Sequence, residues 1–294
     1  MFWSRISSRQ NCRGRENVLR EKGLRKTFAR IFLSVTIAFV LLQGRCEALE
    51  LWVTNPWLSM LTRFIGGVQV VVNPVLLWGE TGETIKVKKA PPDGAIVLSL
   101  DRQEALSILG KDFEERFSPF FLYERLSSGS ITEESFMDPA ALPFIGLRTL
   151  QILSECDPEQ YDYFQRRLAE FQARLDSTVI VGRNMIGKST ILDLSWKFGR
   201  WLQAAAGTVI RPPSQAKDGW SRGEGIDVLE TAIEEARKQK WIIVSDPWTP
   251  KAVLERVRNI PGFIELQPPR TEGDMILFLY DQYLRIWDHI RRVS

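Results

Sequence analysis

The chain has 294 residues, 44% of them apolar, with 39 Lys and Arg against 36 Asp and Glu, three Cys and one His. This composition excludes a disordered tail, a collagen-like repeat and a disulfide scaffold, and the length predicts two lobes of roughly 100–150 residues, each with its own core. The scattered Cys12, Cys46 and Cys156 and the lone His289 cannot form a metal cluster by spacing, and they leave no Ser/His or Cys/His nucleophile pair. No enzyme chemistry is expected, and His289, near the chain end, reads as a surface or helix C-terminal histidine.

Nine basic residues in the first 30 run into the apolar stretch Ile31 to Leu42, the pattern of a secretory signal peptide. At 12 residues the stretch is shorter than the ~18–20 that span a bilayer. Cys46-Glu47-Ala48 offers small residues at the peptidase positions, so residues 1–48 are read as a signal peptide cleaved after Ala48, with a periplasmic or otherwise extracytoplasmic destination. The leader holds 10 basic and 3 acidic residues, which leaves 29 basic against 33 acidic in the remainder. The high overall pI is therefore a property of the leader and gives no support to nucleic-acid binding.

Leu49 to Thr54 reads as a strand that ends at Asn55-Pro56, followed by a helix over 57–65 with apolar residues at three- and four-residue spacing, a Gly66-Gly67 stop and the β-branched strand 68–72. Residues 78–94 read as a long polar loop before strand 95–98, at the kind of strand end where doubly wound sheets hold ligands. Asp138-Pro139 and Asp157-Pro158 mark two helix starts. The second of these carries Tyr161, Phe164, Leu168, Phe171 and Leu175 as a core-facing stripe, over ~28 Å if it ends at 176.

Beyond it the pattern predicts strand 177–181, helix 188–204, a polar stretch over 211–225, helix 226–239, strand 241–244, helix 250–258, strand 263–266 and a last helix over 274–291. The expected fold class is α/β, with two lobes that are each a mostly parallel sheet with helices on both faces, joined by a long rigid helix. The expected divisions are an N-terminal lobe over 49–157, the inter-lobe helix over 158–177 and a C-terminal lobe over 178–294.

In order and spacing these segments resemble the periplasmic solute-binding proteins of zinc and manganese ABC transporters (cluster A-I). The resemblance rests on Leu51-Trp52-Val53-Thr54-Asn55-Pro56 through Gly66-Gly67, Phe136-Met137-Asp138-Pro139, Cys156-Asp157-Pro158 through Leu175, and Leu266-Gln267-Pro268 with Gly273-Asp274. It implies a monomeric transport component that delivers a small ligand to a membrane permease. The family's metal ligands are not matched. Where it has three His and a late acidic residue, residues 79–93 offer only Glu80 and Glu83, the second position is Glu134, the third aligns with Lys188 and the fourth is Gln267. A lysine ammonium has donors and no lone pair, so the zinc or manganese site implied by the resemblance is expected to be lost or altered, with no cofactor in its place. Two replacements are open. Lys188 could pair with Glu134 or Glu83 across the closed lobes, or a helix N-terminus at Gly187-Lys188-Ser189 could hold an anion.

A competing motif overlaps this site. Gly182-Arg183-Asn184-Met185-Ile186-Gly187-Lys188-Ser189-Thr190 matches the phosphate-binding loop G-x-x-x-x-G-K-[ST] and resembles that of the DNA mismatch-repair ATPases. On that alternative Gly182, Gly187, Lys188 and Ser189 bind nucleotide, and Ser245-Asp246 helps to hold Mg²⁺. It ranks second, because the solute-binding resemblance is far longer than a nine-residue string. A third class is a non-transporting periplasmic interaction protein, for which the loop tryptophans Trp78 and Trp220 are candidate contacts beside the core-packing role expected of most. The adjacent Glu133 and Glu134 would diverge by ~100° on a helix and read as a solvated pair.

Overall fold

The computed structural model describes residues 48–123, 133–270 and 272–293, so the expected leader lies outside the described residues except for Ala48. The first half runs β1 (Leu49–Val53), α1 (Pro56–Gly66), β2 (Val70–Pro74), β3 (Leu76–Trp78), β4 (Thr84–Lys86), β5 (Ile96–Ser99), α2 (Arg102–Leu109), α3 (Phe113–Arg116) and β6 (Ser118–Phe121). The sheet order is 2-1-5-6, every pair parallel. The expected loop over 78–94 contains the second half of a small antiparallel hairpin, β3 with β4. Asn55, which the sequence marks as the end of the first strand, also caps α1. Its side-chain oxygen accepts from the Trp57 and Leu58 amides, and Pro56 sits in the first turn, where a missing N–H costs nothing.

Next come α4 (Leu142–Cys156) and α5 (Tyr161–Ile186), the bridging helix. With 26 residues α5 is ~39 Å long, ten residues beyond the expected end. The strand expected over 177–181 is therefore helix. Ser177-Thr178-Val179-Ile180-Val181 has β propensity, but Leu175, Val179, Gly182 and Ile186 carry the buried stripe onward, and tertiary packing overrides a preference worth tenths of a kcal/mol per residue. The hydroxyls of Ser177 and Thr178 donate to the carbonyls of Ala173 and Arg174, which satisfies them within the helix.

The second sheet accordingly starts later, at β7 (Thr190–Asp193), inside the span expected to be helix 188–204. It continues through α6 (Gly199–Ala205), β8 (Thr208–Ile210), α7 (Ser214–Ser221, within the expected polar stretch), α8 (Ile226–Lys238), β9 (Ile242–Ser245), α9 (Lys251–Val257), β10 (Phe263–Glu265) and α10 (Met275–Val293). The order is 10-9-7-8, again all parallel.

Alternate residues of each central strand serve different cores, as the two-residue period of a strand requires. Leu51, Val53, Leu98, Ile191, Ile242 and Val244 face one continuous apolar core that runs from sheet to sheet through α1, α5 and α10. Trp52 and Val97 face a smaller cluster behind the first sheet, and Leu192 and Ile243 face another behind the second. Both sheets are thus covered on both faces, and their carboxyl edges meet across a crevice. Among the described residues no helix is long and apolar enough to cross a membrane.

Candidate functional site

The crevice has an aromatic floor. Trp57 lies 5.1 Å from Trp78 and 6.1 Å from Trp248 between ring centroids, Trp78 lies 5.5 Å from Trp248, and Phe198 stacks on Trp248 at 6.3 Å. Trp57 and Trp78 come from the first lobe, Phe198 and Trp248 from the second, so apolar contact joins the two halves. The hairpin tip reinforces the junction. The Trp248 indole donates to the Gly82 carbonyl at 2.9 Å. Gly82 has φ +85°, and a Cβ there would sit 3.0 Å from Pro247 and 3.4 Å from both Pro268 and Trp248, so only glycine fits both the backbone and the gap.

Above this floor sits one cation. The Lys197 ammonium lies 4.2 Å from the Trp248 ring centroid and 5.3 Å from that of Trp78, with its side chain only 14% exposed, and it pairs with Glu133 of the first lobe. Two indole faces and a carboxylate compensate a largely desolvated ammonium, a setting in which cation–π contact is worth ~2 kcal/mol. Asp246 fixes the approach. One of its oxygens accepts from the Lys197 amide at 2.7 Å, and the other accepts from Trp248 N at 3.2 Å and from the Thr249 hydroxyl at 2.9 Å. Full burial holds the Asp246 carboxyl above its ordinary range, against those hydrogen bonds.

A polar network adjoins the cage at the carboxyl ends of β7 and β8. Asp193 is fully buried, and one of its oxygens accepts from Ser195 N at 2.9 Å and from the Ser195 hydroxyl at 2.5 Å. Its other oxygen lies 3.5 Å from Arg211 Nε, and Arg211 in turn lies 3.9 Å from Glu134. Lys217, 6% exposed, donates to the Ser195 carbonyl. Burial holds its ammonium below the ordinary lysine range, and the Asp193 charge opposes that shift.

The residues singled out from sequence scatter over this landscape. Glu134 lies in the crevice, beside Arg211. Gln267 lines an 870 Å³ groove together with Trp78 and Glu80, and its amide donates to Gln282 of α10. Glu83 turns back on its own hairpin. The Thr81 hydroxyl donates to it at 2.6 Å and holds its carboxyl below the ordinary range, helped by the Thr81 amide at 3.0 Å. Lys188 is not in the crevice. It lines a groove with Arg237, Lys240 and Gly262 at the opposite, amino-terminal edge of the second sheet.

Neither motif built on Lys188 survives. Gly182 to Ile186 belong to α5, and Gly187 closes that helix with its amide bonded to the Arg183 carbonyl. A phosphate loop needs a strand before it and a helix N-terminus after it, and Gly187-Lys188-Ser189 has the reverse, the negative end of a helix dipole followed by a strand. The expected pair of Lys188 with Glu134 or Glu83 is not formed; an amine–carboxylate pair between different residues, Lys197 and Glu133, joins the lobes instead. Sequence reasoning missed Lys197, Asp193, Arg211 and Lys217 because a second sheet begun at 177 hides their places: Asp193 ends β7, Lys197 lies between β7 and α6, Arg211 follows β8 and Lys217 lies within α7. Trp78 and Trp220, read as candidate loop contacts, are both buried, and the Trp220 indole donates to the Gly225 carbonyl. Among the described residues no three His, Cys, Asp or Glu side chains are grouped as metal ligands.

No family model and no curated protein sequence matches the chain. Solved structures do. The crystal structure of ZnuA superposes with a TM-score of 0.57 at 12% identity, over 82% of this chain and 99% of that one. The solute-binding protein FpvC of Pseudomonas aeruginosa in complex with Mn²⁺ gives 0.57 at 11%, over 84% and 100%. A Zn(II)-bound AdcAII variant of Streptococcus pneumoniae gives 0.58 at 12%, over 83% and 98%. Identities this low speak for the fold alone, and the chain has the fold of the periplasmic metal-binding solute-binding proteins.

Proposed function

We propose that this chain is an extracytoplasmic solute-binding protein of an ABC transport system whose crevice has exchanged a bound metal cation for one of its own. It is exported by its N-terminal segment, works as a monomer without catalysing a reaction, and presents its ligand to a membrane permease. The fold supports the transport class, since its structural relatives are solute-binding proteins.

The observation that carries the altered site is the Lys197 ammonium between Trp78 and Trp248, paired with Glu133 where the two lobes meet. A fixed positive charge there repels a divalent cation, and its three donors offer a metal nothing to bind. Isothermal titration of the full chain with Zn²⁺ and with Mn²⁺ tests the reading. The expected result is no binding tighter than about micromolar, a free energy of roughly −8 kcal/mol. Sub-micromolar, saturable binding of either ion would show that the crevice still serves metals.

A further inference from the structure

Beside the Lys197 cage, at the carboxyl ends of β7 and β8, lies a second and more polar cavity of about 410 Å³, within the ~300–1,000 Å³ usual for small-ligand sites. Its walls carry Arg200 from the first turn of α6, Arg211 just after β8, and Lys217 from α7, with Trp196 on one side and Glu134 from the other lobe. Three cationic side chains from three separate elements converge there, at the sheet edge where open α/β folds place their ligands.

We propose that this cavity binds a small polar monocarboxylate, of the size of a hydroxy acid or an amino acid. The inference rests on the solute-binding reading and gives that reading a ligand class.

The hydrogen-bonding capacity of the walls supports it. Arg211 has five N–H donors in a planar fork, the geometry that carboxylates match with two parallel bonds. Its neighbours Asp193, at 3.5 Å, and Glu134, at 3.9 Å, balance its charge but accept no hydrogen bond from it, so among the described residues the fork is positioned without being consumed. Gly199 matters to that position. A methyl group there would overlap the guanidinium, so α6 begins with the one residue that lets Arg211 lie across it. Arg200 is exposed and has no acidic partner among the described residues. Lys217, more than nine-tenths buried, donates to the Ser195 carbonyl and lies 5.4 Å from the Trp196 ring centroid, with two further donors on its ammonium.

Charge and shape narrow the class. Arg200, Arg211 and Lys217 face the two acidic residues of the lining, Glu134 and Asp218, with the buried Asp193 behind Arg211. Three cations are thus offset by three carboxylates, and the weak net field suits a singly charged ligand that meets the Arg211 fork at one end. The two acidic residues disfavour a phosphate dianion. They accept hydrogen bonds, as the Gln203 amide and Ser214 hydroxyl also can, so hydroxyl or ammonium groups on the ligand find partners.

The test is calorimetry of the full chain with lactate, gluconate, glutamine and glycine, with inorganic phosphate and Zn²⁺ titrated alongside. Saturable binding of at least one carboxylate is expected, weakened tenfold or more by Arg200→Gln and by Arg211→Gln and unchanged by Lys188→Gln. Arg211 also faces buried Asp193, so its variant could unfold; the exposed Arg200 variant, checked by a matching thermal melt, keeps the test decisive. No heat with any of the four carboxylates, binding that persists in Arg200→Gln, or binding of phosphate alone would each overturn the proposal. Such a failure with a blank zinc titration leaves the solute-binding reading standing, whereas tight zinc binding overturns the altered metal site in that reading whatever the carboxylates do.

Discussion

Strand β7 has two lysines near its ends, and they live in different worlds. Lys188, two residues before the strand, faces an open groove among Arg237 and Lys240, where solvent screens it. Lys197, four residues after the strand, is held between two indoles and paired to the opposite lobe. The last residue of β7, Asp193, and Ser195 beyond it are also completely buried. The same strand thus ends in bulk water on one side and in a desolvated polar network on the other. The cause is architectural. In a parallel sheet the carboxyl ends all lie on one edge, and here that edge faces the second lobe, which removes water and strengthens every charge interaction it covers.

Substitutions at the two ends should differ accordingly. The largest effect is expected from Asp193→Ala. It removes the acceptor for both Ser195 donors, the nearest carboxylate to Arg211 and a charge that favours the Lys217 ammonium, so urea unfolding should show a loss of ~2–4 kcal/mol. A loss under 0.5 kcal/mol would mean that water reaches the network and that the contrast between the strand ends is much weaker than drawn.

A smaller effect should come from Gly182→Ala, near the amino end. Its methyl group would overlap the Tyr283 ring, which is stacked on Trp201 at 4.6 Å between centroids and donates to the Trp201 carbonyl at 2.7 Å, so it cannot easily yield. Overpacking of this kind costs ~1–3 kcal/mol and should lower the thermal midpoint. An unchanged midpoint would remove the helix-packing role assigned to this glycine. Least of all should follow from Lys188→Ala, with stability within ~0.5 kcal/mol of the parent in the same urea titration. ATP should shift the melting of neither protein; a shift present in the parent and lost in this variant would bring back the phosphate loop.

Much of the fold could be read directly. Asn55-Pro56, the Gly-Gly stop after α1, the stripe from Phe164 to Leu175 and the amphipathic α8 all announce themselves through caps and spacing, and each lies where it was expected. The errors concentrate between residues 177 and 204. There a β-branched run sits on a helix and a glycine-lysine-serine string marks a helix's end. Local preference and core packing disagree over that stretch, and packing carries more energy. One misplaced strand then displaced the candidate site. The amine singled out from sequence, Lys188, lies at the amino end of β7, whereas the amine that meets a carboxylate of the first lobe, Lys197, follows its carboxyl end.

What the sequence determined by itself was the alternation of strands and helices, the apolar stripe of the bridging rod and the lack of clustered imidazoles and thiols. These are written in residue types and their spacing within a turn or two. Only the tertiary structure decided that Lys197 rather than Lys188 meets the first lobe, and that Arg200, Arg211 and Lys217 share one cavity. Those neighbours come from separate elements, and which of their side chains meet depends on the register of the second sheet and on the edge it turns toward its partner.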